Sequence, residues 1–528
     1  MALTHDLRRR LGDLRAISEE RGEGLRFSPL AAPMLEDLAD ELGAMETDDA
    51  WEEQLRRIRE AADFEPSLPS TLRATLRDYQ REGFYWLARL AQWGVGACLA
   101  DDMGLGKTVQ ALAVILARAA DGPTLVVAPT SVAGNWVRET QRFAPTLRVH
   151  SFTSHGRQAL LESLGPQDVL ICSYGLLRVE AEGLAGMDWH TVVLDEAQTI
   201  KNAATKSSRA AMKLRGGFRL ITTGTPIENH LDELWNLFRF INPGLLGTRK
   251  AFNARFAAPI EKNGDREVRL RLARVVRPFI LRRTKDQVLE ELPARTEVNV
   301  EVQMSEEEAA FYEALRREAV DRLDGQDRPG HIRVLAELMK LRRACCNPSL
   351  VAPETSIPSA KLAAFADLLS DLMDNGHRAL VFSQFVAHLA IVRQLLERRK
   401  IEHKYLDGST PAAERTRQVD AFQAGEGDVF LISLKAGGLG LNLTGADYVI
   451  HLDPWWNPAV EDQASDRAHR IGQRRPVTIY RLVVKDSIEE KIVALHRDKR
   501  DLAQRLLEGT EVAGKLTADE LLALLRKV

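Results

Sequence analysis

The stretch LADDMGLGKT (99–108) begins at the end of the apolar run GACLA (96–100). Its last residue, Thr108, starts the amphipathic segment TVQALAVILARAA (108–120). A strand, a glycine-containing loop and a helix in this order favour phosphate binding, because backbone N–H groups at the helix start point at phosphate oxygens. The ending G-K-T matches the pattern G-x-x-x-x-G-K-[ST], but Asp101 occupies the place of its first glycine. The alternative is an ordinary glycine turn before a helix.

Each residue type in this loop has a role if the loop binds a nucleotide. Gly104 and Gly106 let the backbone approach the phosphates, Lys107 would neutralise the β- and γ-phosphates, and Thr108 would bind Mg²⁺. With Asp101 in place of the first glycine, we expect the turn to be built differently from that of glycine-first phosphate loops. The Asp101 carboxylate should point away from the phosphates. The loop residues predicted to contact the nucleotide are Asp102, Met103, Gly104, Leu105, Gly106, Lys107 and Thr108.

Apolar runs rich in Val, Ile and Leu recur in two sets along the chain. Because they do not alternate with polar residues, they predict strands buried on both faces, as in parallel sheets covered by helices. Helical patterns separate the runs, so the predicted fold class is α/β with two parallel-sheet lobes. The first set is GACLA (96–100), TLVVAP (124–129), DVLICSY (168–174), TVVLDEA (191–197) and FRLITTG (218–224). The second set is RALVFSQ (378–384), HKYLDGS (403–409), DVFLISL (428–434), DYVIHLD (447–453) and VTIYRLVV (477–484).

Two adjacent carboxylates stand at the end of one of these runs, in TVVLDEAQ (191–198). Such a pair is costly at a strand end unless a cation or a reaction uses it. Downstream of the G-K-T loop, it predicts that Asp195 holds Mg²⁺ and that Glu196 orients and deprotonates the attacking water. Taken alone, the same tetrapeptide also fits a solvated turn.

Charge and composition limit the classes of partner. The net charge is −3, so a nucleic-acid surface has to be local. Two basic clusters are candidates for it, although a solvated face is the alternative for each. Their members are Arg277, Arg282, Arg283 and Lys285, then Arg467, Arg470, Arg474 and Arg475.

The four cysteines contain no C-x-x-C pair, which argues against a zinc module or a disulfide framework and favours a reducing compartment. The N-terminal residues MALTHDLRRRLGDL lack the continuous apolar core of a secretory signal, and no run has the apolar length of a membrane span. We therefore expect a cytoplasmic protein without a membrane partner.

The ordered motifs resemble those of superfamily-two helicase-like ATPases and, more narrowly, the Swi/Snf-type DNA translocases. In the first half they are LRDYQREGFYWL (76–87), LADDMGLGKT (99–108), APTSVAGNW (128–136), LDEAQTIKN (194–202) and LITTGTPIENHLDELWNLF (220–238). In the second half they are LRRTKDQVLEELPART (281–296), VFSQF (381–385), YLDGST (405–410), LISLKAGGLGLNLTGADYVI (431–450) and DPWWNPAVEDQASDRAHRIGQ (453–473). The match covers roughly residues 71–500. The loop of this superfamily reads A-x-x-x-G-x-G-K-T, so Ala100 occupies its first place and Asp101 is no defect.

The resemblance implies two RecA-like lobes with helical insertions. The implied domains are a helical accessory segment and linker at 1–70, lobe 1 at 71–285 with a helical insertion from about 230, a linker and helical insertion at 286–350, and lobe 2 at 351–528 with C-terminal brace helices.

The resemblance also assigns nucleotide contacts in both lobes. Arg467 and Arg470 would be arginine fingers for the γ-phosphate, and Gln463 would position water or these arginines. If AVEDQASDRAHRIGQ is helical, these three residues share one face; ordinary ion pairs are the alternative. Further implied nucleotide contacts are Gly440, Asn442 and Gln80, the last of which also fits a buried helix cap.

Nucleic-acid contacts follow from motif positions as well. Hydroxyls and amines at phosphate distance track a backbone without reading bases. The candidates are Thr130, Ser131, Ser409, Thr410 and Lys435, each of which alone fits a loop cap. Trp455 and Trp456 either stack on bases or pack against their own lobe.

The sequence thus predicts an ATP- and Mg²⁺-dependent translocase on double-stranded DNA that remodels or displaces bound proteins, with the protein cargo unspecified. The alternatives are a strand-separating helicase, a nucleotide-gated DNA clamp without processive movement and, with less support, a metabolic ATPase.

Overall fold

The structure is a computed structural model of the chain. It describes residues 18–21, 24–27, 49–152, 156–224, 231–289, 293–324, 331–437 and 441–494. Within these ranges, no helix combines the length and the apolar composition that a bilayer span requires. The chain divides into two compact units. Among the described residues, the first unit ends at Val288 and the second begins at Leu289.

The first unit contains a seven-stranded parallel sheet in the order β5-β6-β4-β7-β8-β3-β9. Its strands are β3 (Ala97–Leu99), β4 (Thr124–Ala128), β5 (Arg148–Ser151), β6 (Asp168–Ser173), β7 (Asp188–Asp195), β8 (Arg215–Thr222) and β9 (Ile280–Leu281). Every residue of β4 is buried, so helices cover both faces of the sheet, as the unbroken apolar run predicts.

The helices of this unit supply the apolar faces that cover its sheet. They are α1 (Asp49–Asp63), α2 (Asp78–Trp93), α3 (Lys107–Arg118), α4 (Thr130–Phe143), α5 (Arg157–Ser163), α6 (Tyr174–Val179), α7 (Ala181–Gly186), α8 (Lys206–Lys213), α9 (Leu231–Ile241), α10 (Arg249–Phe252), α11 (Ala258–Asn263), α12 (Arg266–Val276) and α13 (Lys285–Val288). Leu87 of α2, Leu112 of α3 and Val126 of β4 belong to one continuous core. The helix α3 begins at Lys107, as the phosphate-loop pattern predicts.

The second unit contains a six-stranded parallel sheet in the order β10-β15-β14-β11-β13-β12. Its strands are β10 (Arg295–Val302), β11 (Ala379–Ser383), β12 (His403–Leu406), β13 (Val429–Ser433), β14 (Tyr448–His451) and β15 (Val477–Val484). Its helices are α14 (Glu306–Asp324), α15 (His331–Cys346), α16 (Ala360–Asp374), α17 (Val386–Arg398), α18 (Ala412–Gln423), α19 (Leu434–Gly437), α20 (Pro458–Ser465) and a last helix at 488–494. The two parallel sheets covered by helices confirm the α/β fold class.

All ten predicted strands are present, but several others escaped the apolar-run criterion. The edge strand β10 reads RTEVNVEV and is mostly exposed, so the region 286–350 contributes a sheet strand as well as a linker and helices. The edge strand β5 has no fully buried residue. Edge strands have one uncovered side, and their sequences therefore lack the continuous apolar signal of central strands.

The N-terminal region also differs from the helical prediction for residues 1–70. Ser18–Arg21 (β1) and Gly24–Phe27 (β2) pair as an antiparallel hairpin. The glycines at 22 and 24 lower helix propensity there. Most of the remaining accessory segment, and the brace helices expected beyond 494, lie outside the described residues.

A fully buried ion pair holds the last described helix onto the second unit. Lys361 Nζ lies 2.6 Å from both carboxylate oxygens of Glu489, and both residues have no exposed surface. Glu489 Oε2 also accepts the backbone N–H of Val484 at 3.0 Å. Each charge therefore depends on its partner for compensation of its lost hydration.

We expect Glu489→Gln to lower the free energy of unfolding by about 3–5 kcal/mol, because it leaves the Lys361 ammonium buried without a counter-charge. Urea unfolding followed by circular dichroism measures this change. The double variant Lys361→Met/Glu489→Leu should be less destabilised than the single variant, since it buries no charge. Equal stability of the single variant and the wild type would contradict the assigned role.

Candidate nucleotide site

The predicted site residues of the first unit meet at one edge of its sheet. Asp195, the last residue of β7, is in register with Thr222, the last residue of β8. Thr222 is in turn in register with Leu99, the last residue of β3. Since carboxyl ends of parallel strands share one edge, the loop after Leu99 and the carboxylates at 195–196 emerge at the same edge of the sheet, with the end of β8 between them.

The loop backbone depends on two glycines. Gly104 and Gly106 have φ angles of +88° and +78°, which strain any residue that carries a Cβ atom. A Cβ atom on Gly106 would also lie 2.4 Å from Gln80 Nε2. The predicted strand, loop and helix arrangement is therefore present, and its glycines are sterically required.

Lys107 lies at the centre of the negative charge of this edge. Its Nζ donates to the carbonyl oxygens of Asp101 and Asp102, at 2.6 and 3.2 Å. Burial lowers the pKa of Lys107, while the charges of Glu196 and Asp195 act in the opposite direction. The lysine and both predicted catalytic carboxylates thus interact electrostatically, as expected for one site.

Asp101 points away from the phosphate side of the loop, as its sequence position requires. Its fully buried carboxylate accepts Arg283 Nε at 3.0 Å, Arg283 Nη2 at 2.5 Å and the backbone N–H of Arg283 at 3.1 Å. Arg283 also donates to Gln110 Oε1 at 2.9 Å and to the carbonyl of Tyr79. This arginine therefore ties the loop to α2 and α3, and the basic cluster that contains it is neither a purely solvated face nor purely a nucleic-acid surface.

Gln80 contacts the loop rather than only solvent. Its Oε1 accepts the backbone N–H of Arg77 at 3.0 Å, which caps the start of α2. Its Nε2 donates to the carbonyl of Leu105 at 3.0 Å, and the Tyr79 hydroxyl donates to the same carbonyl. These contacts match the helix-cap alternative, and they place the amide beside the phosphate loop.

Asp195 is oriented by residues that the motif reasoning did not single out. Trp136 Nε1 donates to Asp195 Oδ2 at 2.8 Å, and the Thr222 hydroxyl donates to Oδ1 at 2.5 Å. The Tyr174 hydroxyl donates to the Asp195 backbone carbonyl. Trp136 ends the quoted motif APTSVAGNW, but the motif does not indicate its partner, because Asp195 lies 59 residues further along the chain.

Glu196 adopts a left-handed backbone conformation, with φ at +49°. Such strain in a non-glycine residue persists only where the surroundings enforce it, and it clusters at functional sites. Gln198 Nε2 donates to Glu196 Oε2 at 2.6 Å, and the Thr223 hydroxyl donates to Gln198 Oε1 at 3.0 Å. A continuous polar chain therefore links Glu196 to the LITTGTP segment.

In the second unit, the structure corrects the helical arrangement of the arginines. The helix α20 ends at Ser465, and Arg467 and Arg470 lie in the turns that follow. The carbonyl of Arg467 accepts the N–H of Leu443 at 3.0 Å, so this backbone bonds to a neighbouring loop instead of extending the helix.

The two arginines nevertheless converge. Their Nη1 atoms donate to the carbonyl of Leu441, at 3.4 Å for Arg467 and 3.2 Å for Arg470. Asn442 follows this carbonyl in the chain and is exposed, and Gln463 is half-buried in α20. Gly440 lies outside the described residues. His469 Nε2 is 2.9 Å from the carbonyl of Pro293, which fits a structural hydrogen bond.

The predicted nucleic-acid contacts lie at strand ends and helix starts. Thr130 is exposed in the first turn of α4, beside Ser131. Ser409 Oγ lies 2.6 Å from Asp407 Oδ1, and Thr410 Oγ1 accepts the Asp407 backbone N–H at 3.1 Å, so both hydroxyls stabilise the turn before α18. Lys435 lies in α19 after β13, and its side chain is not described.

Trp455 and Trp456 pack inside their own unit. The guanidinium of the buried Arg342 lies 6.0 Å from the ring centre of Trp455 and 5.2 Å from that of Trp456. This cation–π contact favours the packing alternative over base stacking.

A parallel sheet with a glycine-containing loop before a helix and an acidic pair at its carboxyl edge is typical of α/β nucleotide-binding proteins. Residues 79–350 match the SNF2-related domain, and residues 360–472 match the helicase conserved C-terminal domain. The chain therefore belongs to the SNF2-related family.

Two relatives illustrate the range of the similarity. A Bacillus subtilis protein named as an ATP-dependent helicase/translocase is 38% identical over 550 residues, covering 96% of this chain and 58% of the relative. The mouse SWI/SNF-related matrix-associated actin-dependent regulator of chromatin, subfamily A member 1, is 36% identical over 479 residues, covering 85% of this chain and 46% of the relative. The chain thus spans about half the length of these relatives.

Among solved structures, the Sulfolobus solfataricus SWI2/SNF2 ATPase core in complex with dsDNA is 34% identical. The match covers 85% of this chain and 100% of that one, with a TM-score of 0.44. Since this TM-score is too low to support a structural argument, the family assignment depends on the sequence comparisons.

We expect Trp136→Phe to weaken the apparent Mg²⁺ affinity of ATP hydrolysis about 10-fold, because the variant keeps the ring but removes the donor that orients Asp195. A magnesium titration at saturating ATP measures this. Trp189→Phe is the matched control, since Trp189 is equally buried in the same unit and donates to the carbonyl of Leu184 instead. An equal effect of both variants would contradict the assignment.

We expect Arg283→Ala to destabilise the protein by about 3–5 kcal/mol, because it leaves the Asp101 carboxylate buried and uncompensated. Urea unfolding monitored by tryptophan fluorescence provides the comparison. The neighbouring Arg282→Ala should stay within about 0.5 kcal/mol of the wild type, as partly exposed positions usually do. Similar losses for both variants would show that Asp101 does not depend on Arg283.

Proposed function

We propose that this protein is an ATP-driven translocase of the Swi/Snf type that moves along double-stranded DNA and remodels or displaces bound proteins. The observation that carries the ATPase part is the grouping of Lys107, Asp195 and Glu196 at one sheet edge. The names of the relatives, an ATP-dependent helicase/translocase and a regulator of chromatin, support the same class of activity.

The residues of the first unit are suited to bind ATP together with Mg²⁺. Thr108 and Asp195 would hold the cation, which neutralises phosphate charge when bound. They fit it, because Mg²⁺ takes oxygen ligands and Asp195 Oδ2, with one bond to Trp136, keeps a lone pair for the ion or its water. Lys107 would exchange its loop carbonyls for phosphate oxygens.

Glu196 is the proposed base. Its partner Gln198 donates to Glu196 Oε2 and thereby orients the carboxylate, which would orient and deprotonate water. Thr223 of the LITTGTP segment donates a hydrogen bond to Gln198, the partner of Glu196. Through these contacts, the state of the γ-phosphate would change the conformation of LITTGTP. This residue chain would couple hydrolysis to movement.

The second unit would supply the arginine fingers. Arg467 and Arg470 converge on one carbonyl, and their guanidinium groups remain charged at any working pH. We propose that both act as arginine fingers for the γ-phosphate, that Gln463 positions water or these arginines, and that Gly440 and Asn442 contact the nucleotide. Gln80 would contact adenine from the first unit.

The DNA would be held through its phosphates by Thr130, Ser131, Ser409, Thr410 and Lys435. Contacts of this kind do not read bases, and they predict binding that weakens steeply with salt. A strand-separating helicase remains the second candidate function, favoured by the helicase C-terminal match at 360–472. The protein complexes on which the chain acts are not specified by these residues.

A triplex-displacement assay on duplex DNA tests the translocase. We expect the wild type to displace a third strand with ATP, and Lys107→Ala or Glu196→Gln to lose both displacement and DNA-stimulated phosphate release by at least about 100-fold. Lys250→Ala, an exposed lysine of the same unit, is the control and should keep both.

The outcomes separate the candidates. Strong DNA-stimulated hydrolysis without displacement would refute the translocase. Unwinding of a forked duplex that carries no bound protein would establish the strand-separating helicase. DNA binding that depends on nucleotide but shows no turnover would establish the clamp.

A further inference from the structure

Three potential metal ligands from distant parts of the chain meet in the interior of the second unit. Cys346 ends α15, His388 lies in the first turn of α17, and Asp453 follows β14. A sulfur, a ring nitrogen and a carboxylate oxygen from these residues all lie within 4.8 Å of one another. Cys346 and His388 have no exposed surface, and Asp453 is 1% exposed.

Among the described residues, no hydrogen-bond partner explains the burial of His388. Neither Nδ1 nor Nε2 of His388 has a hydrogen-bond partner within the described part of the chain. A buried polar group without a partner costs about 1–3 kcal/mol, and most such groups in folded proteins bind a residue, a water or an ion. Both ring nitrogens of His388 are thus left for a ligand other than the described protein atoms.

The chemistry of the group fits a transition metal. A neutral imidazole offers one ring nitrogen with a lone pair, which makes it the commonest metal ligand among side chains. Asp453 accepts the Ser383 hydroxyl and the Gln384 N–H, contacts that fix its carboxylate in the way metal ligands are fixed by surrounding residues. A thiol, an imidazole and a carboxylate are ligands of zinc.

Two cations lie near the cluster and have other partners. Lys361 is paired with Glu489, and Arg342 donates to Gln384 Oε1 at 3.0 Å and to the carbonyl of Pro454. Both are positively charged, so they compete with a bound cation for the Asp453 carboxylate. Metal binding has to release the proton of the Cys346 thiol, because the thiolate is the form that coordinates a metal.

We propose that Cys346, His388 and Asp453 form a buried structural site for one divalent transition metal ion, of which zinc fits the ligands best. In a tetrahedral zinc site, ligand atoms lie about 3.5 Å apart, so binding would draw these atoms, now within 4.8 Å of one another, closer together. The fourth position would be a water. The site joins α15, α17 and the end of β14, and the ion would be acquired as this unit folds.

Metal content tests this directly. The full chain, purified without a histidine tag or chelator and dialysed against metal-free buffer, should retain about one zinc ion per chain by mass spectrometry of the elements. Cys346→Ala and His388→Leu should each lower this content at least about 10-fold. Cys345→Ala is the matched control, because this neighbouring thiol is equally buried and lies outside the cluster.

Thermal unfolding tests the proposal independently, because a metal ligand and an unsatisfied polar group predict opposite changes in the melting temperature of His388→Leu. If His388 binds a metal, His388→Leu lowers the melting temperature and a strong chelator lowers that of the wild type. If the ring is only an unsatisfied polar group, His388→Leu raises the melting temperature, because leucine removes the cost of burying it. Absence of bound metal together with a stabilised His388→Leu variant would overturn the proposal.

Discussion

Burial of both faces of each sheet is the constraint on which the rest of the structure depends. The central strands consist of consecutive buried apolar residues, so chemistry-bearing side chains are found where the strands end. In the first unit this edge carries Asp195, Thr222 and the loop after Leu99. In the second unit this edge carries Ser383 at the end of β11 and Asp453 in the loop after β14, and the two side chains are hydrogen-bonded. The fold thereby produces a polar site from apolar strands.

The same burial makes each charge near the sheets depend on a specific partner. Asp101 is neutralised by Arg283, and Lys361 by Glu489. Asp195 and Glu196 are different, because Trp136 donates to the first carboxylate and Gln198 to the second, and both donors are uncharged. Ion pairs therefore stabilise the units, while hydrogen bonds from uncharged groups orient the two carboxylates that are proposed to act on ATP.

Much of the fold was accessible from the sequence, since a central strand is both apolar and uninterrupted. The ten predicted runs, of which only β12 forms a sheet edge, are strands in the structure, and α3 begins at the predicted lysine. The edge strands β5 and β10 were not accessible, because one exposed side permits charged residues such as Glu297 and Glu301. The end of α20 at Ser465 was also missed, because a carbonyl bond to Leu443 from a separate loop interrupts the helix.

The sequence by itself determined which residues form the candidate site and predicted their chemistry, because G-K-T after a strand and paired carboxylates after another strand have few other uses. It also showed that Asp101 must turn away from the loop. Only the tertiary structure decided where that carboxylate goes, namely to Arg283, 182 residues further along the chain. It likewise brought Cys346, His388 and Asp453 together, although their spacing carries no local signal. Sequence motifs record contacts between neighbours in the chain, whereas long-range contacts arise from the order in which strands join a sheet.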